Sequence, residues 1–180
     1  MVKRIKRKRA AKELLYWIKY LAAFCIIAVA VNNFIIVNAV VISSSMETTV
    51  MTDSRVMGLR LAYAVKDPKR FDIILFLFPD DETREPFLKR IVGLPNEQVE
   101  IKNGKVYING SDTPLDDHFV KEPPRGNYGP FTVPAGSYFV LGDNRNNSHD
   151  SKNWVNKFVA RDKILGKVYA EYFPKPKLLE

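Results

Sequence analysis

From Tyr20 to Ile42 the chain reads YLAAFCIIAVAVNNFIIVNAVVI without one charged residue. About 20 apolar residues in a helix cross the hydrocarbon core of a bilayer, so the stretch predicts a transmembrane helix. A buried core helix is the alternative, but it would not sit behind so basic a head. Residues 1–19 hold eight Lys and Arg against the single acid Glu13. The most apolar part, Tyr20–Val31, gives way to Asn32 and Asn33, which mark the far interface. The helix is expected to begin near Leu14, with Tyr16 and Trp17 in the aromatic belt and Lys12 and Lys19 reaching the near headgroups. The expected divisions are a basic tail over 1–13, a span over 14–36 and a body over 37–180.

Charge supports the same division. The chain carries 28 Lys+Arg and 20 Asp+Glu, a formal +8. The head supplies +7 of that, which leaves the body near neutral. Basicity confined to a tail ahead of an apolar span excludes a nucleic-acid-binding body and points to membrane lipid. Lys and Arg stay cytoplasmic, so the N-terminus is expected inside and the body outside the cell membrane. A cleaved signal peptide would need a small-residue exit site, and Val40–Ser45 supplies a poor one. The single cysteine, Cys25, lies in the span, so no disulfide framework forms. With only His118 and His149 besides, neither a metal nor a cofactor is expected.

After the span, strand signals replace helical periodicity. Phe71–Phe78 (FDIILFLF) is a continuous β-prone run. In Val99–Ile108 (VEIKNGKVYI), Asn103-Gly104 sits between β-prone flanks as a type I′ hairpin requires. Tyr138–Leu141 and Ile164–Phe173 are further predicted strands. Pro123-Pro124, Gly126, Gly129-Pro130 and Pro134-Ala135-Gly136 punctuate a loop that cannot be helical. The fold class expected is mainly β: one β-rich domain behind one N-terminal transmembrane helix.

Three stretches concentrate polar groups beyond what packing needs. Ser43-Ser44-Ser45-Met46-Glu47-Thr48-Thr49 follows the span directly; read blandly, it is a solvated linker. In Phe87-Leu88-Lys89-Arg90-Ile91-Val92 the strand period puts Phe87, Lys89 and Ile91 on one face. Burial among such neighbours disfavours an ammonium and lowers its pKa, which would free a neutral amine to act as a base. The bland alternative is an edge strand guarded by charge. The third stretch, Leu141 to Lys152, is a dense polar loop. A triad of Ser148, His149 and Asp150 is unattractive there, because consecutive residues point apart whereas a triad assembles in space.

In this order, Ser45-Met46, Lys89-Arg90-Ile91-Val92-Gly93-Leu94-Pro95 and Gly142 through Ser151 resemble bacterial type I signal peptidase, and the compact length resembles its Gram-positive form. The resemblance implies a membrane-bound serine endopeptidase with a Ser/Lys dyad, removing signal peptides from exported preproteins and working as a monomer without a cofactor. On that resemblance Ser45 matches the nucleophile and Lys89 the general base. Ser43 matches the hydroxyl that forms the oxyanion hole with the Ser45 N–H. Ser148 matches the serine that orients the lysine, and Asp143, Arg145 and Asp150 match a supporting network. Substrates of the family carry alanine-like residues one and three positions before the cleaved bond.

Several positions depart from the family pattern. Thr48 stands where proline is usual, and Asp53-Ser54, Phe71-Asp72 and Asn96-Glu97 stand where Gly-Asp or its like is usual. Asn146 replaces an aspartate and Lys152 an arginine. A membrane-anchored binding protein that kept the scaffold and lost catalysis is the alternative function. Other nucleophile classes fit worse. No Ser-x-x-Lys occurs, and a transpeptidase would need a cysteine outside the span.

Overall fold

The structure is a computed structural model that describes residues 2–80 and 85–179, with side chains of the first helix from Lys12 onward. The chain divides into two compact units, Met1–Ile36 and Val37–Glu180.

The first unit is a single helix, α1 (Val2–Phe34). It differs from expectation at both ends: it begins inside the basic head rather than near Leu14, and it stops at Phe34 rather than 36. Val, Ile and Asn dominate from Ile35 to Val40, and β-branched side chains favour the strand β1 (Ile36–Val40) that follows. Within α1, Lys12–Phe34 is long and apolar enough to cross a membrane, and none of its side chains is buried.

The second unit is built of strands. The main sheet runs β1, β2 (Arg55–Leu59), β10 (Ile164–Phe173), β3 (Ile73–Leu77), β4 (Pro86–Gly93), β8 (Ser137–Leu141), β9 (Val159–Ala160), with β11 (Lys177–Leu178) also on β10. A smaller sheet orders β6 (Lys105–Ile108), β5 (Gln98–Lys102) and β7 (Tyr128–Thr132). The β5–β6 hairpin turns at Asn103 (φ 51°) and Gly104 (φ 73°), with Lys102 opposite Lys105. Both residues are left-handed, as the type I′ turn demands.

Two sequence expectations need correction here. The apolar run begins its strand at Ile73, not Phe71, because Phe71 holds a left-handed φ of 70°. The Pro- and Gly-rich segment after Pro123 contributes a strand, β7. It is an edge of the small sheet, where the missing N–H of Pro130 breaks no ladder.

Alternation along β3 and β4 builds two cores. Ile73, Leu75 and Leu88 pack with Val41, Met46, Val50, Val56 and Val168. Ile74, Phe76 and Ile91 pack with Tyr138, Val140 and Trp154 on the other side. β4 is thus an interior strand, paired to β3 over Pro86–Arg90 and to β8 over Arg90–Gly93. Lys89 is 3% exposed, so its charge does not guard a solvent-facing edge. Among the described residues, however, no strand pairs the second edge of Pro86–Lys89.

Candidate active site

Ser45 sits in a single 3-10 turn, Ser44–Met46. Neighbouring Met46 is fully buried in the core beneath β3 and β4. Burying a methionine side chain contributes about 2 kcal/mol and ties the turn to the body. Upstream, the Val41 N–H donates to the Ser54 carbonyl at 2.8 Å and the Asp53 N–H to the Val41 carbonyl at 2.7 Å. The polar loop holds the turn from the other side. Asn144 donates from its backbone N–H to the Ser45 carbonyl and from Nδ2 to the Ser44 carbonyl, both at 3.1 Å. Asn147 Nδ2 donates to Ser44 Oγ at 2.7 Å. The triple serine is therefore a fixed turn and not a solvated linker. Asn144 and Asn147 were missed in the sequence, where they looked like ordinary turn formers.

Lys89 reaches this turn from β4. It is 3% exposed, and its Nζ lies 2.6 Å from Ser45 Oγ. The Phe87 ring, on the same face of the strand, lies 5.6 Å from the amine. Desolvation is the largest influence on that amine and pulls its pKa from the usual 10.5 to about 8. Asp150 and Asp143 pull it up and the Lys152 charge pushes it down, with burial prevailing. Ser43 Oγ stands 3.1 Å from Ser45 Oγ.

The expected supporting residues are present with partners of their own. Asp143 accepts from Arg90 Nε and Nη2 at 2.9 and 2.8 Å and from the Thr49 hydroxyl at 2.5 Å. The Arg90 guanidinium also lies over the Phe119 ring at 4.0 Å and donates to the Phe71 carbonyl at 2.9 Å. The ion pair is buried, so deleting one member strands the other charge at a cost of about 3–5 kcal/mol. Arg145 pairs with Asp117 at 3.1 Å. Asp150 accepts from the Gly142 N–H at 3.0 Å and from Lys152 Nζ at both oxygens, 2.9 and 3.0 Å. The lysine amine therefore spans the carboxylate that an arginine would grip bidentately. Ser148 departs from expectation. Its Oγ is buried and makes no hydrogen bond in this structure, and the Lys89 amine bonds Ser45 Oγ. Thr49, Arg90, Asp117 and Phe119 were not singled out in the sequence, which carries no local sign of a partner many residues away.

Ser43, Ser45, Lys89 and Ser148 line one groove of about 600 Å³, whose lining also includes Ala39 to Ile42 and Pro86 to Leu88.

The family model described as signal peptidase, peptidase S26, matches residues 14–173. The chain belongs to this signal peptidase family. It is 38% identical to "Probable signal peptidase I-2" of Synechocystis sp., over 89% of this chain and 73% of that relative. It is 35% identical to signal peptidase I of Leptolyngbya laminosa, over 96% and 86% of the two chains. With signal peptidase I P of Bacillus subtilis subsp. natto it shares 31% identity over 94% of each. Within this signal peptidase family member, the Gly-Asp positions that differ keep a left-handed backbone: φ is 65° at Asp53, 70° at Phe71 and 67° at Asn96. Asn146 serves a local purpose. It accepts from the Arg125 N–H at 2.8 Å and donates Nδ2 toward Glu122 Oε2 at 3.3 Å, where an aspartate would meet a like charge.

Proposed function

We propose that this signal peptidase family member, a serine protease, cuts signal peptides from exported preproteins with Ser45 as nucleophile and Lys89 as general base. The observation that carries the reading is the 2.6 Å approach of a buried lysine amine to Ser45 Oγ, with burial holding its pKa near 8. A neutral amine accepts the Ser45 proton as Oγ attacks the scissile carbonyl carbon, so no histidine is needed. Ser43 then donates to Ser45 Oγ in the resting state and, after rotation, to the oxyanion alongside the Ser45 N–H. Such donors stabilise the transition state by about 3 kcal/mol each. The Lys89 ammonium delivers its proton to the departing amine and leaves an acyl group on Ser45. Water, deprotonated by the same amine, attacks that ester and regenerates the serine.

The substrate lies extended in the groove, pairing its backbone with the second edge of Pro86–Lys89. Arg145 ties the polar loop to Asp117 and Asp150 braces it from within at Gly142 and Lys152, so that Asn144 and Asn147 can hold the turn, and Ser148 receives the Lys89 amine when it swings from Ser45. The apolar helix over Lys12–Phe34 anchors the chain, with the basic head cytoplasmic and the body outside. Exposed Val40 and Ile42, close to Ser45 in the chain, contact membrane lipid, and the chain acts as a monomer.

Cleavage of a preprotein embedded in lipid vesicles, by wild type, Ser45→Ala and Lys89→Ala, tests this reading. Both substitutions are expected to lower kcat at least about 10³-fold while the folded body is retained. Cleavage at the wild-type rate by either variant would remove the dyad, and absence of cleavage by the wild type would leave a scaffold that binds without cutting.

A further inference from the structure

The segment after β10 reaches back to the turn that carries Ser45, and the dyad alone gives no reason for it. β11 pairs with β10, with Lys177 opposite Glu171. Leu179, just beyond, is buried with Val41, Met46 and Val50. Lys177 Nζ donates to the Thr49 carbonyl at 2.7 Å and lies 3.2 Å from Glu171 Oε2. Glu171 is 3% exposed; its Oε1 accepts from the Ser54 hydroxyl at 2.7 Å, while the buried Oε2 makes no hydrogen bond and faces the Lys177 charge as an ion pair. On the opposite side, the Thr49 hydroxyl donates to Asp143, the carboxylate that grips Arg90 next to Lys89. Thr49 is therefore clamped between two ion pairs, one on β4 and the polar loop, one on β10 and β11. Neither Thr48 nor Thr49 has a ring to fix φ, so those bonds add to the 2.8 Å bond from the Val50 N–H to the Met46 carbonyl in holding this turn.

We propose that Lys177 is a positioning residue for the reaction. By holding the Thr49 carbonyl against the buried Glu171 carboxylate, it fixes the turn after Ser45. Thr49 then keeps Asp143 and Arg90 in register, and Lys89 stays within reach of the Ser45 hydroxyl. This inference rests on the assignment of Ser45 and Lys89 as the dyad.

Preprotein cleavage by the full chain in lipid vesicles, with kcat and KM measured per folded enzyme beside the thermal midpoint, tests it. Lys177→Met is expected to lower kcat about tenfold with KM changed by less than about twofold, since a displacement of an ångström at a reacting pair carries such losses. Lys177→Arg, which reaches both acceptors, restores kcat. Glu171→Gln combined with Lys177→Met removes the stranded buried charge, so the midpoint recovers while kcat stays low. A kcat for Lys177→Met within about twofold of wild type, or a kcat that recovers together with the midpoint in the double variant, overturns the positioning role. Ser45→Ala in the same assay separates the two claims: cleavage persisting there removes the dyad itself, whereas its loss beside normal Lys177→Met kinetics removes only this inference.

Discussion

Lys89 shows how burial moves one side chain toward its neutral form. Its amine sits behind Phe87 and under the Ser45 turn, and desolvation outweighs the pull of two carboxylates. A shift from 10.5 to about 8 corresponds to about 3 kcal/mol of lost ion stabilisation. Because the folded pKa lies below that of the unfolded chain, the loss is complete below about pH 8 and fades as pH rises toward 10.5. Lys89→Met keeps the stem and removes the charge. It is expected to be inactive and yet more stable than wild type by about 2–3 kcal/mol at pH 7, the difference vanishing above about pH 10.5. Urea unfolding at the two pH values, followed by the fluorescence of buried Trp154, measures it. Equal stabilities at pH 7 would mean that the amine is solvated. Lys152 belongs to the same balance, since its charge helps lower the pKa of the Lys89 amine.

Two elements must meet closely for the proposed dyad to form: the turn at Ser45 and the loop after β8. Gly142 is where they touch. A Cβ there would lie 2.3 Å from Ser148 Oγ and 2.4 Å from the Ser45 carbonyl oxygen. Gly142→Ala therefore pushes the turn away from Lys89, and kcat is expected to fall about 10²-fold while circular dichroism still reports a folded body. Unchanged kcat would show that the loop can retreat without disturbing Ser45. Local chemistry makes some elements legible in the sequence alone. Asn103-Gly104 names its turn type because both residues accept φ above zero, and the alternation around Lys89 gives its face. Other features are hidden for physical reasons. Phe71 gives no sign of a left-handed backbone, since its ring finds Phe119 only in the folded chain. The choice of Asp117 for Arg145 and of Asp143 for Arg90 is made between distant loops, where spacing in sequence carries nothing. Ser148 is expected from motif order to touch Lys89, but that order cannot say which of two hydroxyls an amine will face.

At the scale of the whole molecule, an exposed apolar helix and a β-rich body share one chain, and the proposed function gives them separate tasks. On that proposal the helix brings the enzyme to the membrane from which its substrate emerges, and the body supplies a groove, a nucleophile and a buried base. Nothing else in the chain is asked to take the serine proton, so the rate of the intact enzyme should follow the ionisation of one buried amine. The most direct measurement is the pH dependence of kcat/KM for preprotein cleavage by the full chain in lipid vesicles, which reports the free enzyme. The expected result is a rate that rises with pH to a plateau with a midpoint near 8, and no such rise in Lys89→Ala. A midpoint near the 10.5 of an ordinary lysine, or the same profile in both enzymes, would contradict the assignment of Lys89 as the base.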